Sequence, residues 1–196
     1  MNQKKSRRAF FTLEIRRLTY AAAFLAIALM LPFFTGQIPE IGSMLCPMHI
    51  PALLCGFVCG WPYGLIVGFI APLLRSLLFG MPPVYVAIAM AFELAAYGAV
   101  AGILYRKLPR NGRYIYVSLL AAMIAGRIVW GGVQFLLAGL RGTEFSLAMF
   151  LAGAVTTAIP GIIVQLVLIP FLVMALQRAK LMLNGAPQDA GSTALP

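Results

Sequence analysis

Long apolar runs separated by short polar gaps dominate the sequence. A helix needs about 20 mostly apolar residues to cross the hydrocarbon core of a bilayer. The runs predict six spans, at about 18–34, 47–60, 63–79, 84–105, 114–140 and 145–176. The second is short because Pro62, between Gly60 and Gly64, predicts a turn within one longer apolar stretch. The sequence therefore predicts an all-α integral membrane protein with six transmembrane helices.

The basic residues predict the orientation of these spans. Of the fifteen lysines and arginines, six precede the first span, four lie between the fourth and fifth, and two follow the sixth. Because positive charge marks cytoplasmic segments, both termini are predicted to be cytoplasmic. The chain then divides into a basic amino-terminal segment (1–17), a six-helix transmembrane domain (18–180) and a flexible cytoplasmic tail (181–196).

Composition narrows the functional classes. The chain is 62% apolar and 10% charged, against roughly 45–50% and 25% in soluble domains. The net charge of +10 would suggest nucleic acid in a soluble protein, but here topology accounts for it. There is no zincin pair, glycine-rich phosphate loop or Walker motif. The cysteines and the single histidine match no standard zinc spacing, so we expect no metal, no cofactor and no catalytic site in this chain.

Three charged residues fall inside the predicted spans: Arg75, Glu93 and Arg127. Charge within the membrane is costly, so each needs a partner or a purpose. Their depths allow them to converge in the outer half of the bundle. Under one interpretation Glu93 pairs with one arginine as a structural contact while the other arginine reaches water. Under the other, the spare guanidinium lies in a pocket open to the outside and binds an anionic ligand.

Polar and aromatic residues recur at helical spacing beside these charges. Trp130 and Gln134 share a face with Arg127, and Thr157, Gly161 and Gln165 form a mildly polar stripe on the sixth span. The predicted substrate-binding residues are Arg75, Glu93, Tyr97, Arg127, Trp130, Gln134 and Thr157.

Small residues form two further patterns. Gly56, Gly60, Gly64 and Gly68 recur every four residues across Pro62, and Ala22 and Ala26 form a small-xxx-small pair on the first span. For both patterns internal helix packing is the default interpretation.

A sequence stretch within 48–83 resembles a known family. It reads His-Ile-Pro-Ala-Leu-Leu-Cys-Gly-Phe-Val-Cys-Gly-Trp-Pro-Tyr-Gly, then Pro-Leu-Leu-Arg and Gly-Met-Pro-Pro. It is similar to the substrate-binding (S) components of energy-coupling factor (ECF) vitamin transporters. The six spans, the cytoplasmic termini and the loop after the first span are similar too.

The resemblance implies a subunit of an ATP-driven importer in a bacterial-type plasma membrane. Such a subunit binds a vitamin near its outer face and works with a membrane coupling subunit and two cytoplasmic ATPases, which use the ATP. The implied gating loops contain Glu40, His49, Met81 and Pro82. The pair Ala22 and Ala26 matches the alanine motif that docks on the coupling subunit, and the sequence looks most like pantothenate-type members.

Two alternatives stay open at this point. A self-sufficient secondary transporter of a small organic solute would need a coupling-ion site, for which Glu93 is the one intramembrane carboxylate. A small integral-membrane enzyme is the other alternative, although the sequence shows no catalytic constellation.

Overall fold

The computed structural model describes residues 2–34, 46–109, 111–143, 146–153 and 158–184, with side chains from residue 11 onward. All regular elements within these ranges are helices. They are α1 (Asn2–Phe34), α2 (His49–Cys59), α3 (Trp61–Phe79), α4 (Val84–Lys107), α5 (Gly112–Arg141), α6 (Leu147–Leu151) and α7 (Ile159–Arg178).

Five helices in the described part of the chain are long and apolar enough to cross a membrane: α1 over Phe11–Phe34, α3, α4, α5 and α7. The second predicted span is present as α2, but its 11 residues extend only about 16 Å at 1.5 Å per residue. That length is about half of a hydrocarbon core. The membrane character and the first five predicted helices are thus found, and α2 alone is too short to count as a complete crossing.

Two α-helices are described within the sixth predicted span, and residues 154–157 between them lie outside the described residues. The chain forms the short helix α6, which Ser146 caps by accepting a hydrogen bond from the Met149 amide, and then the longer helix α7. Pro160 lies in the first turn of α7. Proline has no amide hydrogen to donate and fits the start of a helix better than its interior.

Helix α2 lies at the centre of the bundle, and all of its residues are buried. It packs against α1, α3, α4 and α7. The main core cluster takes Leu53 and Phe57 from α2, with Tyr97 from α4, Leu119 from α5 and Ile169 from α7. A short helix surrounded in this way can begin and end inside the bundle, since neighbouring helices cover its whole surface.

Glycine backbones hold α2, α3 and α4 close together. A Cβ atom on Gly98 of α4 would overlap the backbone of Gly64 on α3, and one on Gly68 would overlap the Leu94 carbonyl. At the junction between α2 and α3, Gly60 has φ +102°, a conformation that L side chains rarely adopt. The glycine ladder therefore serves internal packing, as expected from its interruption by Pro62.

The alanine pair on α1 behaves differently from the glycines. Ala22 and Ala26 are exposed in the isolated chain, whereas Ala21 and Ala28 face the bundle and are buried. The surface formed by Ala22 and Ala26 is therefore available to lipid or to another protein, and internal packing does not explain it.

The carboxyl-terminal segment packs further than predicted. Leu183 and Asn184 are each 3% exposed, and both backbone amides donate to the Val58 carbonyl. The Asn184 side-chain amide donates to the carbonyls of Gly56 and Gly102 at 3.3 and 3.0 Å. The packed domain therefore extends to residue 184, and the rest of the predicted tail lies outside the described residues.

We predict that Gly98→Ala destabilises the bundle because its methyl group meets the α3 backbone, which cannot move aside as a flexible side chain would. Overpacking of this kind costs about 1–3 kcal/mol, so the thermal midpoint in detergent should fall by several degrees. Gly132→Ala on α5 is the matched control, since open space surrounds that position. Equal midpoints for the two variants would contradict the close approach of α3 and α4.

Candidate functional site

Four polar residues lie on the same side of the apolar core: His49 on α2, Glu93 on α4, Arg127 on α5 and Gln165 on α7. Each is one helical turn from a member of the main core cluster, always toward the end of the bundle where α3 ends. In the same order those core members are Leu53, Tyr97, Met123 and Ile169. We call these four residues the polar layer. It covers the apolar core on the side that the charge bias predicts to be external.

An ion pair joins two members of the polar layer. Glu93 Oε1 lies 3.0 Å from Arg127 Nη1 and 3.3 Å from His49 Nε2. The Glu93 and His49 side chains are each 2% exposed, and that of Arg127 is 16% exposed. The Tyr97 ring packs against the His49 ring with centroids 5.1 Å apart. One carboxylate oxygen therefore lies within ion-pair distance of a guanidinium and close to an imidazole, without hydrogen-bond geometry to either, and these contacts link α2, α4 and α5.

The remaining donors of Arg127 are incompletely used. Its Nη2 donates to the Cys46 sulfur at 3.8 Å, a weak acceptor, and its Nε is buried with no hydrogen-bond partner among the described residues. Nε and Nη2 form one edge of the planar guanidinium. That edge faces no carboxylate in the described part of the chain.

Four further polar atoms of the layer are also buried without a hydrogen-bond partner inside the described ranges: His49 Nδ1 and Nε2, Glu93 Oε1 and Gln165 Oε1. Buried polar groups are almost always paired in folded proteins, because an unpaired group costs free energy. A donor edge, an imidazole nitrogen and an amide oxygen on the same side of the apolar core are the kind of polar groups that orient a ligand in an apolar pocket.

Gly126 lets α4 and α5 approach beside the ion pair. A Cβ atom at this position would overlap the Tyr97 ring and press on the Glu93 backbone oxygen. The glycine next to Arg127 in the sequence therefore brings Arg127 within reach of Glu93.

Arg75 does not join the other two intramembrane charges. Its guanidinium donates to the Leu29 carbonyl on α1 and lies over the rings of Phe33 and Phe79, at 4.7 and 5.4 Å from their centroids. It is 2% exposed, and no ion pair links it to Glu93. The expected convergence of all three charges is therefore not met. A backbone oxygen and two aromatic faces satisfy Arg75, an arrangement that charge counting does not anticipate.

The other predicted wall residues are distributed over several places. Tyr97 is buried within the site. Trp130 is part-buried and packs against Phe150 of α6, with ring centroids 6.1 Å apart, and Gln134 is half-buried one turn further along α5. Thr157 lies outside the described residues, as does Glu40 of the first predicted gating loop.

The predicted gating residues also separate. His49 is the first residue of α2 and lies in the polar layer instead of in a covering loop. Met81 and Pro82 do lie in the connection between α3 and α4 and are part-exposed. The sequence did contain a pattern that indicates the position of His49. It lies four residues before Leu53 and eight before Phe57, so all three share one face of the helix, which is the face toward the core. The same spacing from Ile169 placed Gln165 inward.

Comparison with known families identifies the chain. A family model described as ECF transporter, substrate-specific component matches residues 16–173. The chain belongs to this family. Comparisons with curated proteins and with solved structures returned no match. The matched range contains the whole polar layer and reaches from α1 to α7.

Membership assigns the general role of this S component. It is the substrate-specific membrane subunit of an ECF transporter and works with that transporter's energy-coupling module. A multi-pass membrane protein of this family is a transport subunit, which agrees with the long apolar helices.

We predict that Glu93→Gln destabilises the S component strongly, because Arg127 would remain buried without its counter-charge. Removing one partner of a buried ion pair typically costs about 3–5 kcal/mol. The double variant Glu93→Gln with Arg127→Met removes both charges and should be more stable than Glu93→Gln alone. Thermal unfolding of the purified variants in detergent measures this coupling. Additive losses in the double variant would show that the two side chains do not interact.

Proposed function

We propose that this S component binds a small water-soluble vitamin on the outer side of the polar layer and delivers it inward. Delivery requires a membrane coupling subunit and two cytoplasmic ATPases in the plasma membrane of a bacterial-type cell. Family membership supports the transporter, and the bias of basic residues supports cytoplasmic termini. In this arrangement α2 belongs to the crossing that the five long helices do not supply.

The observation that carries the ligand proposal is the Nε–Nη2 edge of Arg127, which has only the weak acceptor Cys46 as a partner among the described residues. Glu93 engages Nη1 and fixes the guanidinium plane, while Nε and Nη2 face no carboxylate in the described ranges. A planar edge of two N–H groups matches a carboxylate in bidentate fashion. We therefore favour a vitamin that carries a carboxylate, with pantothenate as the leading candidate.

The rest of the polar layer suits the remainder of such a molecule. Gln165 Oε1 accepts hydrogen bonds, and His49 Nδ1 donates or accepts according to its tautomer. Both suit hydroxyl and amide groups, which pantothenate has beside its carboxylate. Because Arg75 is already engaged with α1 and two aromatic rings, the affinity for an anion depends on Arg127.

We predict that Arg127→Lys weakens binding of a carboxylate-bearing vitamin more than tenfold, or about 1.4 kcal/mol. Lysine keeps the positive charge beside Glu93 but has no planar two-donor edge. Isothermal titration of the purified protein with pantothenate and with a panel of other vitamins measures the change. Arg141→Lys is the matched control, because Arg141 lies at the outer end of α5 and stacks on Tyr85.

Two results would reject this ligand proposal. Unchanged pantothenate affinity in Arg127→Lys would remove the role of the guanidinium edge. An absence of saturable binding to every vitamin at micromolar concentration would reject vitamin binding altogether. Mass spectrometry of small molecules released from gently purified protein identifies a different ligand if one is present. Proton- or sodium-driven uptake by liposomes that hold this chain alone would instead establish a secondary transporter.

We also predict that Ala22→Trp and Ala26→Trp each reduce co-purification with the coupling subunit at least several-fold. Two small side chains on an exposed helical face permit close approach of a partner helix, which tryptophan would block. Ile27→Trp is the control, since Ile27 is 44% exposed on another side of α1. Full recovery of the complex in both alanine variants would place the docking surface elsewhere.

A further inference from the structure

A second polar site lies at the opposite end of the bundle from the polar layer. A cavity of about 350 Å³ opens between α1, the junction of α2 and α3, and the end of α4. Its wall includes Glu14, Arg17, Trp61, Tyr63, Ile66 and Arg106. This end carries the flanking basic residues and is the cytoplasmic end in the predicted orientation. None of the six residues belongs to the vitamin site proposed above.

The acidic charge in this cavity is fully engaged. Glu14 accepts hydrogen bonds from Arg17 at 2.7 Å and from the Tyr63 hydroxyl at 2.6 Å. Arg17 Nη2 donates to the Leu183 carbonyl at 3.0 Å, but its Nε is buried and has no hydrogen-bond partner within the described residues. The Glu14–Arg17 pair is therefore neutral as a whole.

Arg106 adds a positive charge that the described part of the chain does not balance. It lies in the last turn of α4, is exposed, and has no described carboxylate within ion-pair distance. With Glu14 and Arg17 cancelling, the cavity carries a net charge of about +1. That charge selects a monoanionic group, such as a phosphodiester.

One side of the cavity is apolar and faces the membrane. Trp61 and Ile66 are 42% and 50% exposed, and Ile70, one turn further along α3, is 40% exposed. Tryptophan is typical of the boundary between head groups and hydrocarbon. The cavity thus joins a charged inner part to an apolar helix face that lies along the bilayer.

We propose that this cavity binds an anionic phospholipid of the inner leaflet. The phosphodiester pairs with Arg106, while an acyl chain lies along Ile66 and Ile70. A free phosphate ion shares the charge but makes no use of the apolar side. Juxtamembrane arginines are attracted to anionic lipid, and a cavity beside them gives the head group a defined position.

Native mass spectrometry of the full chain in detergent tests this proposal, with phosphatidylglycerol and phosphatidylcholine added in turn. We expect the wild type to retain phosphatidylglycerol over phosphatidylcholine and Arg106→Gln to retain at least threefold less of it. Lys107→Gln is the matched control, because it removes the same charge from the neighbouring position, which does not line the cavity. Ile66→Ser should also reduce retention, while leaving every charge in place.

Three outcomes would overturn the proposal. Equal retention in Arg106→Gln and Lys107→Gln would show that only the general basic surface attracts lipid. Unchanged retention in Ile66→Ser would exclude the acyl contact. Thermal stabilisation by inorganic phosphate equal to that by phosphatidylglycerol would assign the cavity to free phosphate. The thermal midpoint of each variant without added lipid verifies that the protein is folded, and vitamin binding, measured separately, keeps this test independent of the transport proposal.

Discussion

The contact between Glu93 and Arg127 is the constraint on which the outer half of this protein depends. Either charge alone would cost about 2.5–3.5 kcal/mol in the middle of a membrane helix. Together, at 3.0 Å and beside His49, they become tolerable only when α2, α4 and α5 meet at one depth. A charge in an apolar medium must be compensated by a particular partner. This requirement determines which helices lie side by side more specifically than apolar packing does. The same contact leaves the Nε–Nη2 edge of the guanidinium without a carboxylate partner among the described residues.

Close backbone packing makes this contact possible. Glycines at the interfaces of α2, α3 and α4, and Gly126 beside Tyr97, remove the side chains that would otherwise hold the helices apart. Because α2 is only 11 residues long and covered on all sides, it starts at the depth of the polar layer and places His49 there. A helix of full membrane length would carry its first residue to the bilayer surface. The short helix therefore helps to form the site.

The two ends of the bundle serve different purposes in the functional picture proposed above. The outer end has buried, incompletely paired polar groups over an apolar core, an arrangement suited to selecting a small solute. At the other end, the Asn184 side chain donates hydrogen bonds to backbone carbonyls of α2 and α4. The same end has a cavity in which a positive charge lies beside an apolar helix face. The apolar core separates these two sites. Under the proposals above, a substitution at one end can therefore alter solute selection without altering contact with the inner leaflet, and the reverse.

The sequence by itself determined the membrane class, the positions of the first five helices and the presence of a buried carboxylate beside at least one arginine. Those features follow from composition and local spacing. A run of about twenty apolar residues crosses a bilayer as a helix, and a charged side chain inside the bilayer needs a partner. Only the tertiary structure decided which arginine pairs with Glu93, that Arg75 is satisfied by the Leu29 carbonyl and two rings, and that His49 and Gln165 share the polar layer. Those outcomes depend on how far each helix slides and rotates against its neighbours. That geometry is set by glycine contacts between residues distant in the chain, which no local pattern encodes.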